Sequence, residues 1–104
     1  ENFKGLEILA QNTIVKFNNN LPNLISALEN AVLAKNFEEI EMAAHKLKGL
    51  VSIFHAEPSG LLAVQLEKLA KKKSLEGSEE LLFSLKTELD RLQKSLLEIV
   101  DTIA

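Results

Sequence analysis

The chain contains no cysteine, no tryptophan and no tyrosine. Without cysteine there is no disulfide framework and no thiolate metal site, which is compatible with a reducing compartment. Positive charge is not in excess either. The formal net charge of −3 argues against nucleic acid as the main partner. One short basic run, Lys71-Lys72-Lys73, suits the C-terminal end of a helix or the docking of an acidic partner. No apolar stretch approaches the ~18 residues needed to span a bilayer. No signal peptide, repeat or low-complexity segment stands out. No segment carries a strand pattern.

What is present is aliphatic. Of the 104 residues, 46% are hydrophobic but only 5% aromatic, so Leu, Ala, Ile and Val supply most of the core. This length and composition fit one helical domain, residues 1–104, with enough apolar surface for one core. The chain begins at Glu1 rather than Met, and a piece cut from a longer protein is expected.

Helical periodicity recurs along the chain. Phe3, Leu6, Ile8, Leu9, Ile14, Val15 and Phe17 suit helix, with Asn12-Thr13 able to restart one. Asn18-Asn19-Asn20-Leu21-Pro22 reads as a break or kink, since proline is tolerated in a first turn but not in a helix interior. Leu24, Ile25, Leu28, Ala31 and Val32 then follow helical spacing to about Lys35. Asn36 with Glu39 forms a capping-box pattern that opens a helix running to about Phe54. Glu57-Pro58 marks another start, followed by a Leu62, Leu66, Leu69 stripe, and residues 74–78 read as a turn and cap. In the last helix Leu82, Leu85, Leu89, Leu92, Leu96, Ile99 and Ile103 alternate spacings of three and four. That seam could pair two chains as a coiled coil. Beside other amphipathic helices with short connections, it is expected to close a monomeric bundle instead.

One helix carries the chemistry. At about 100° per residue, Ala43, Leu47, Leu50 and Phe54 lie roughly 140–200° from His45, with Ile40 and Val51 at about 220–240°. Glu38, Glu41, Lys48, Gly49 and Ser52 lie within about 60° of it. The helix is expected to bury a stripe centred opposite the histidine and to present His45 on its polar face. An exposed histidine is by itself only a solvated residue. Gly49 alters that reading, because a helix-interior glycine costs about 0.5–1 kcal/mol relative to alanine and here clears the space one turn from the imidazole. Lys48 sets a positive charge beside the ring, suited to stabilising an anion on it.

The run Ala44-His45-Lys46-Leu47-Lys48-Gly49, then Ala56, then Leu66-Glu67 with Ala70-Lys71, resembles the histidine-containing phosphotransfer (HPt) domain family. The likeness covers Asn36 to about Leu85, and its A-H-x-L-K-G core is fairly specific. It implies an all-α, antiparallel four-helix bundle with an additional N-terminal helical segment. It also implies that His45 accepts a phosphoryl group, through Nε2, from an aspartyl phosphate of a response-regulator receiver domain and passes it to another receiver. Lys48 would neutralise phosphate charge and Gly49 would give steric access. The partner receiver would bring Mg²⁺, and the domain would need no cofactor of its own and have no ATP-dependent kinase activity. The implied partners are receiver domains or the rest of a hybrid sensor histidine kinase, with no nucleic acid and no membrane contact. The implied location is the cytoplasm or the cytoplasmic portion of a membrane-bound kinase. Two positions depart from the family pattern: Ile53 where a polar residue, often Asn, is common, and His55 where Gly is common. His55 is read as a surface residue at the helix end.

The competing functions are weaker. A carboxylate-bridged metal site needs Glu and His ligands from several helices, yet both histidines lie on one helix. No serine elbow motif supports a nucleophile triad. A non-catalytic helical adaptor or docking bundle is the remaining alternative. On the carrier reading, the partner-binding surface is expected to include Glu41, Met42, Ser52 and Ile53. Met42 and Ile53 sit about 60–80° from His45, with Glu38, Glu41 and Lys48 as a charged rim. The competing expectation is that Met42 and Ile53 pack against a neighbouring helix.

Overall fold

A computed structural model of the chain describes residues 3–103, and the side chains of residues 5–102. Four helices follow one another: α1 (Phe3–Leu33), α2 (Phe37–Ser52), α3 (Glu57–Lys71) and α4 (Ser78–Ile103). Among the described residues there is no strand. Each helix packs on its neighbour in the cycle α1–α2–α3–α4–α1, and α2 packs most extensively on α3. The result is an all-α bundle. The side chains of Phe3 and Ile103, expected on apolar faces, lie outside the described residues.

The expected break at residues 18–22 is absent. Pro22 lies inside the single 31-residue helix α1, and the N-terminal residues are its first turns rather than a separate helix. A helix-interior proline costs about 3 kcal/mol, since it removes one hydrogen bond and crowds the preceding turn. The core outweighs that cost. Phe17, Leu21, Leu28 and Ala31 are all buried on one stripe that runs across the proline, and each large side chain buried contributes about 1.5–3 kcal/mol. Pro22 itself points to solvent. Local propensity marked a break; burial on both sides keeps the helix whole.

Helix ends are set by specific hydrogen bonds. Asn36 accepts from the Glu39 N–H at 3.2 Å, the expected N-cap of α2. The reciprocal half of the capping box is replaced: the Asn36 N–H donates to Ala31 O at 3.0 Å, closing the end of α1. Lys35, His55 and Lys73 are left-handed, with φ of 55°, 54° and 54°. Each is followed by a residue whose N–H reaches five residues back, from Asn36 to Ala31, Ala56 to Val51 and Ser74 to Leu69. These are Schellman ends with a basic residue where glycine is usual. At Lys35 and Lys73 the side-chain charge lies near the negative end of the helix dipole, which offsets part of the left-handed strain.

The core joins Leu21, Leu28, Ile40, Leu47, Val51, Leu66, Leu85 and Leu89, all essentially inaccessible. Phe17 and Phe54 meet edge to face at 4.9 Å between centroids, tying the turn after α2 to α1. The α4 seam is covered only through Leu96; Ile99 is 47% exposed. The reason is length. At 31 and 26 residues, α1 and α4 outrun the 16 and 15 residues of α2 and α3.

Candidate functional site

The buried face of α2 is turned from its expected direction. Ile40, Ala44, Leu47 and Val51 are buried, whereas Ala43, Leu50 and Phe54 are only half-buried. The stripe therefore centres at about 230° from His45 rather than opposite it, at about 100° per residue. The small side chain of Ala44 allows α3 to approach this flank. His45 consequently faces solvent with one ring edge and α3 with the other.

The residue that meets it is Glu67. Its Oε2 lies 3.0 Å from His45 Nδ1. Lys48 Nζ lies 3.7 Å from Glu67 Oε1, and Lys71 Nζ lies 3.9 Å from Oε2. The Glu67 side chain is only 10% exposed, against 66% for His45. An almost buried carboxylate thus holds the imidazole of an exposed histidine and two lysines. A carboxylate has no proton to give, so Nδ1 carries the hydrogen and donates it. In the neutral ring this fixes one tautomer and leaves the Nε2 lone pair free on the exposed side.

Glu67 had no role in the sequence reading, although it stands in one of the elements that carry the family resemblance. A more specific signal was available. Ala63, Leu66, Glu67 and Ala70 occupy the buried positions of α3, so a carboxylate sits on a core stripe between two alanines. A charge there must find partners or be removed.

The other expected site residues are dispersed around His45. Lys48 is 40% exposed. A Cβ built on Gly49 meets nothing within 4 Å, so no packing inside the chain demands glycine there. Ser52 is exposed and its hydroxyl donates to Gly49 O at 2.7 Å, committed to its own helix. Met42 and Ile53 are 67% and 58% exposed and do not pack into the core. They are not adjacent, since eleven residues of helix rise separate them by about 16 Å. Met42 lines a shallow depression of about 890 Å³ together with Glu41, His45, Glu67 and residues of α1. Lys48, Ser52 and His55 line a separate groove of about 430 Å³ between α2 and α3. Ile53 lines neither. His55 is exposed at the end of α2, ten residues along the chain from the acceptor candidate. Among the described residues no group of three or more His, Asp or Glu side chains is placed to hold a metal ion. No described helix is long and apolar enough to cross a membrane.

The family model of the Hpt domain matches residues 14–95, well over half of the chain. The chain belongs to the Hpt domain family. Hpt domains carry phosphoryl groups on histidine in the phosphorelays of two-component signalling, and they interact with receiver domains. The match spans all of α2 and α3 and most of α4. It thus includes His45, Lys48, Gly49 and Glu67. No curated protein and no solved structure matches the chain.

Proposed function

We propose that this Hpt domain is a phosphorelay carrier in which His45 takes a phosphoryl group from the aspartyl phosphate of one receiver and delivers it to another. The observation that carries this reading is the ring geometry: Nδ1 is 3.0 Å from the Glu67 carboxylate while the side chain is 66% exposed. In the first step the Nε2 lone pair attacks phosphorus in line with the aspartyl oxygen. The Nε2–P bond forms, the P–O bond breaks, and its electron pair leaves with the receiver's carboxylate. The positive charge gained by the ring is shared with the Nδ1–H that faces Glu67. No proton has to move during the transfer.

Lys48 approaches the same face and offers its charge to the phosphoryl oxygens, and Gly49 leaves room for the receiver. The receiver supplies Mg²⁺, and the carrier needs neither ATP nor a cofactor of its own. Helices joined through residues 34–36, 53–56 and 72–77 pack on their predecessors, which supports an antiparallel bundle. The domain is expected to act in the cytoplasm as a monomer, alone or within a hybrid sensor kinase.

The test is to profile transfer from each phosphorylated receiver of the source organism to the purified domain. Acid-labile, base-stable label on the domain is the expected result. No label from any receiver would leave only an adaptor role.

Two variants examine the parts. Lys48→Ala removes one charge contact to the phosphoryl group, worth about 1–3 kcal/mol. Transfer is expected to slow by roughly tenfold or more, with a shorter-lived phosphohistidine, but not to stop. An unchanged rate would exclude Lys48 from the charge-stabilising role. Ile53→Asp places a charge on an exposed side chain, so the melting temperature should hold while receiver affinity drops about tenfold, the size of a modest interface contact. A folded variant with unaltered receiver affinity would remove Ile53 from the docking surface.

A further inference from the structure

The chain carries one sulfur atom, since it has no cysteine and Met42 is its single methionine. It also lacks tryptophan and tyrosine, the aromatic side chains that oxidants attack most readily. Peroxide chemistry on this chain is therefore focused on one thioether. We infer that Met42 is an oxidation site, and that its conversion to the sulfoxide by a peroxide weakens receiver docking on the His45 face. The inference rests on the carrier reading, because it concerns the partner of that same site.

Two observations place the sulfur where oxidation matters. Met42 is 67% exposed and takes no part in the buried core, so a peroxide molecule reaches it without unfolding. It also stands three residues before His45 on α2, about 60° round the helix and about 4.5 Å along it. Met42 and His45 line the same depression, with Glu41, Lys46 and Glu67 around them. A receiver that brings its phosphoaspartate in line with His45 Nε2 covers this neighbouring turn and takes the Met42 side chain out of water. A thioether suits that contact. It is flexible, polarisable and apolar, and it moulds to the surface laid on it.

The reaction balances with hydrogen peroxide as the oxidant. A sulfur lone pair attacks one peroxide oxygen, an S–O bond forms and the O–O bond breaks. The leaving hydroxide takes the proton of the sulfur-bound oxygen, giving sulfoxide and water. Sulfur is oxidised by two electrons and peroxide is reduced by two. The charge of the chain does not change. What changes is polarity. The sulfoxide oxygen accepts hydrogen bonds strongly, and covering it without a donor costs free energy that covering a thioether does not. Because Met42 lies outside the core, the bundle tolerates the added oxygen, and the His45 ring keeps its nucleophile. The loss falls on docking, and methionine sulfoxide reductases undo it.

The test compares the purified domain before and after hydrogen peroxide, with residual peroxide removed before any partner is added. Mass spectrometry is expected to find one added oxygen, on Met42, and circular dichroism an unchanged fold. Labelling by potassium phosphoramidate, which needs no partner, is expected to proceed at the untreated rate. Transfer from the phosphorylated receiver that profiling yields is expected to fall about tenfold at low domain concentration, the size of one modest interface contact. It should recover at saturating concentration, so that the change lies in KM, and also after the sulfoxide is reduced. Met42→Leu has no thioether, so peroxide should leave this variant at its own untreated rate. Equal transfer by oxidised and untreated domain, the same fall in peroxide-treated Met42→Leu, or a matching fall in phosphoramidate labelling would each overturn the inference. So would a Met42 that stays unoxidised while free methionine in the same tube is converted. Untreated domain that takes label from no receiver would instead overturn the carrier reading, and the inference with it.

Discussion

His45→Gln is expected to abolish acid-labile labelling and to leave the helical content and melting temperature nearly unchanged. The chemical loss is complete because the substituted amide has no nucleophilic lone pair, so the fall is expected to be on the order of 10³-fold or more. The structural effect is small for two reasons. The His45 side chain is 66% exposed, and exposed substitutions usually change stability by less than about 0.5 kcal/mol. The danger would be stranding a buried charge, because an unpaired carboxylate in the interior costs about 3–5 kcal/mol. Glu67 escapes that fate, since Lys48 and Lys71 remain within 3.7 and 3.9 Å of it. Mass-spectrometric mapping of the label, together with a thermal melt, checks both halves. Label retained in this variant on His55 would refute the assignment.

Gly49→Leu should produce the opposite combination, a more stable protein that no longer transfers. Replacing a helix-interior glycine by leucine gains close to 1 kcal/mol of helix propensity. Nothing inside the chain resists the new side chain, because a Cβ there meets no atom within 4 Å. With no internal reason for glycine, the reason proposed here lies outside, in the approach of a partner to the ring one turn away. A bulky side chain there would hold the donor phosphate out of line. Misplacement by about 1 Å can cost on the order of 10²-fold in rate. The check pairs a melting curve with the rate of transfer from a phosphorylated receiver. Normal transfer by a stabilised leucine variant would show that the glycine does not provide access.

Much of this was legible in the sequence. Helical spacing located α2, α3 and α4, the Asn36 cap was visible as residue chemistry, and Glu57-Pro58 marked the start of α3. His45 could be placed on an exposed face by counting turns. What escaped depended on contacts between elements. Pro22 signals a break locally, and only the buried stripe from Phe17 to Ala31 overrides it. The ends of α2 and α3 lack the glycine usual at such turns, with His55 and Lys73 left-handed in its place. The rotation of α2 toward α3 depends on half-buried residues that a helical wheel counts as core. The pairing of Glu67 with His45 spans 22 positions of sequence, a distance over which periodicity says nothing. Met42 and Ile53 shared a side of the wheel, but a wheel discards rise along the axis.

The central claim is that Nε2 of His45 carries the phosphoryl group while Nδ1 remains with Glu67. The most direct measurement is heteronuclear NMR on the ¹⁵N-labelled domain after transfer from a phosphorylated receiver, reading phosphorus–nitrogen coupling at the histidine rings. The predicted result is coupling to Nε2 of His45 and none to either nitrogen of His55. Phosphorus on Nδ1 of His45, or on His55, would contradict the account.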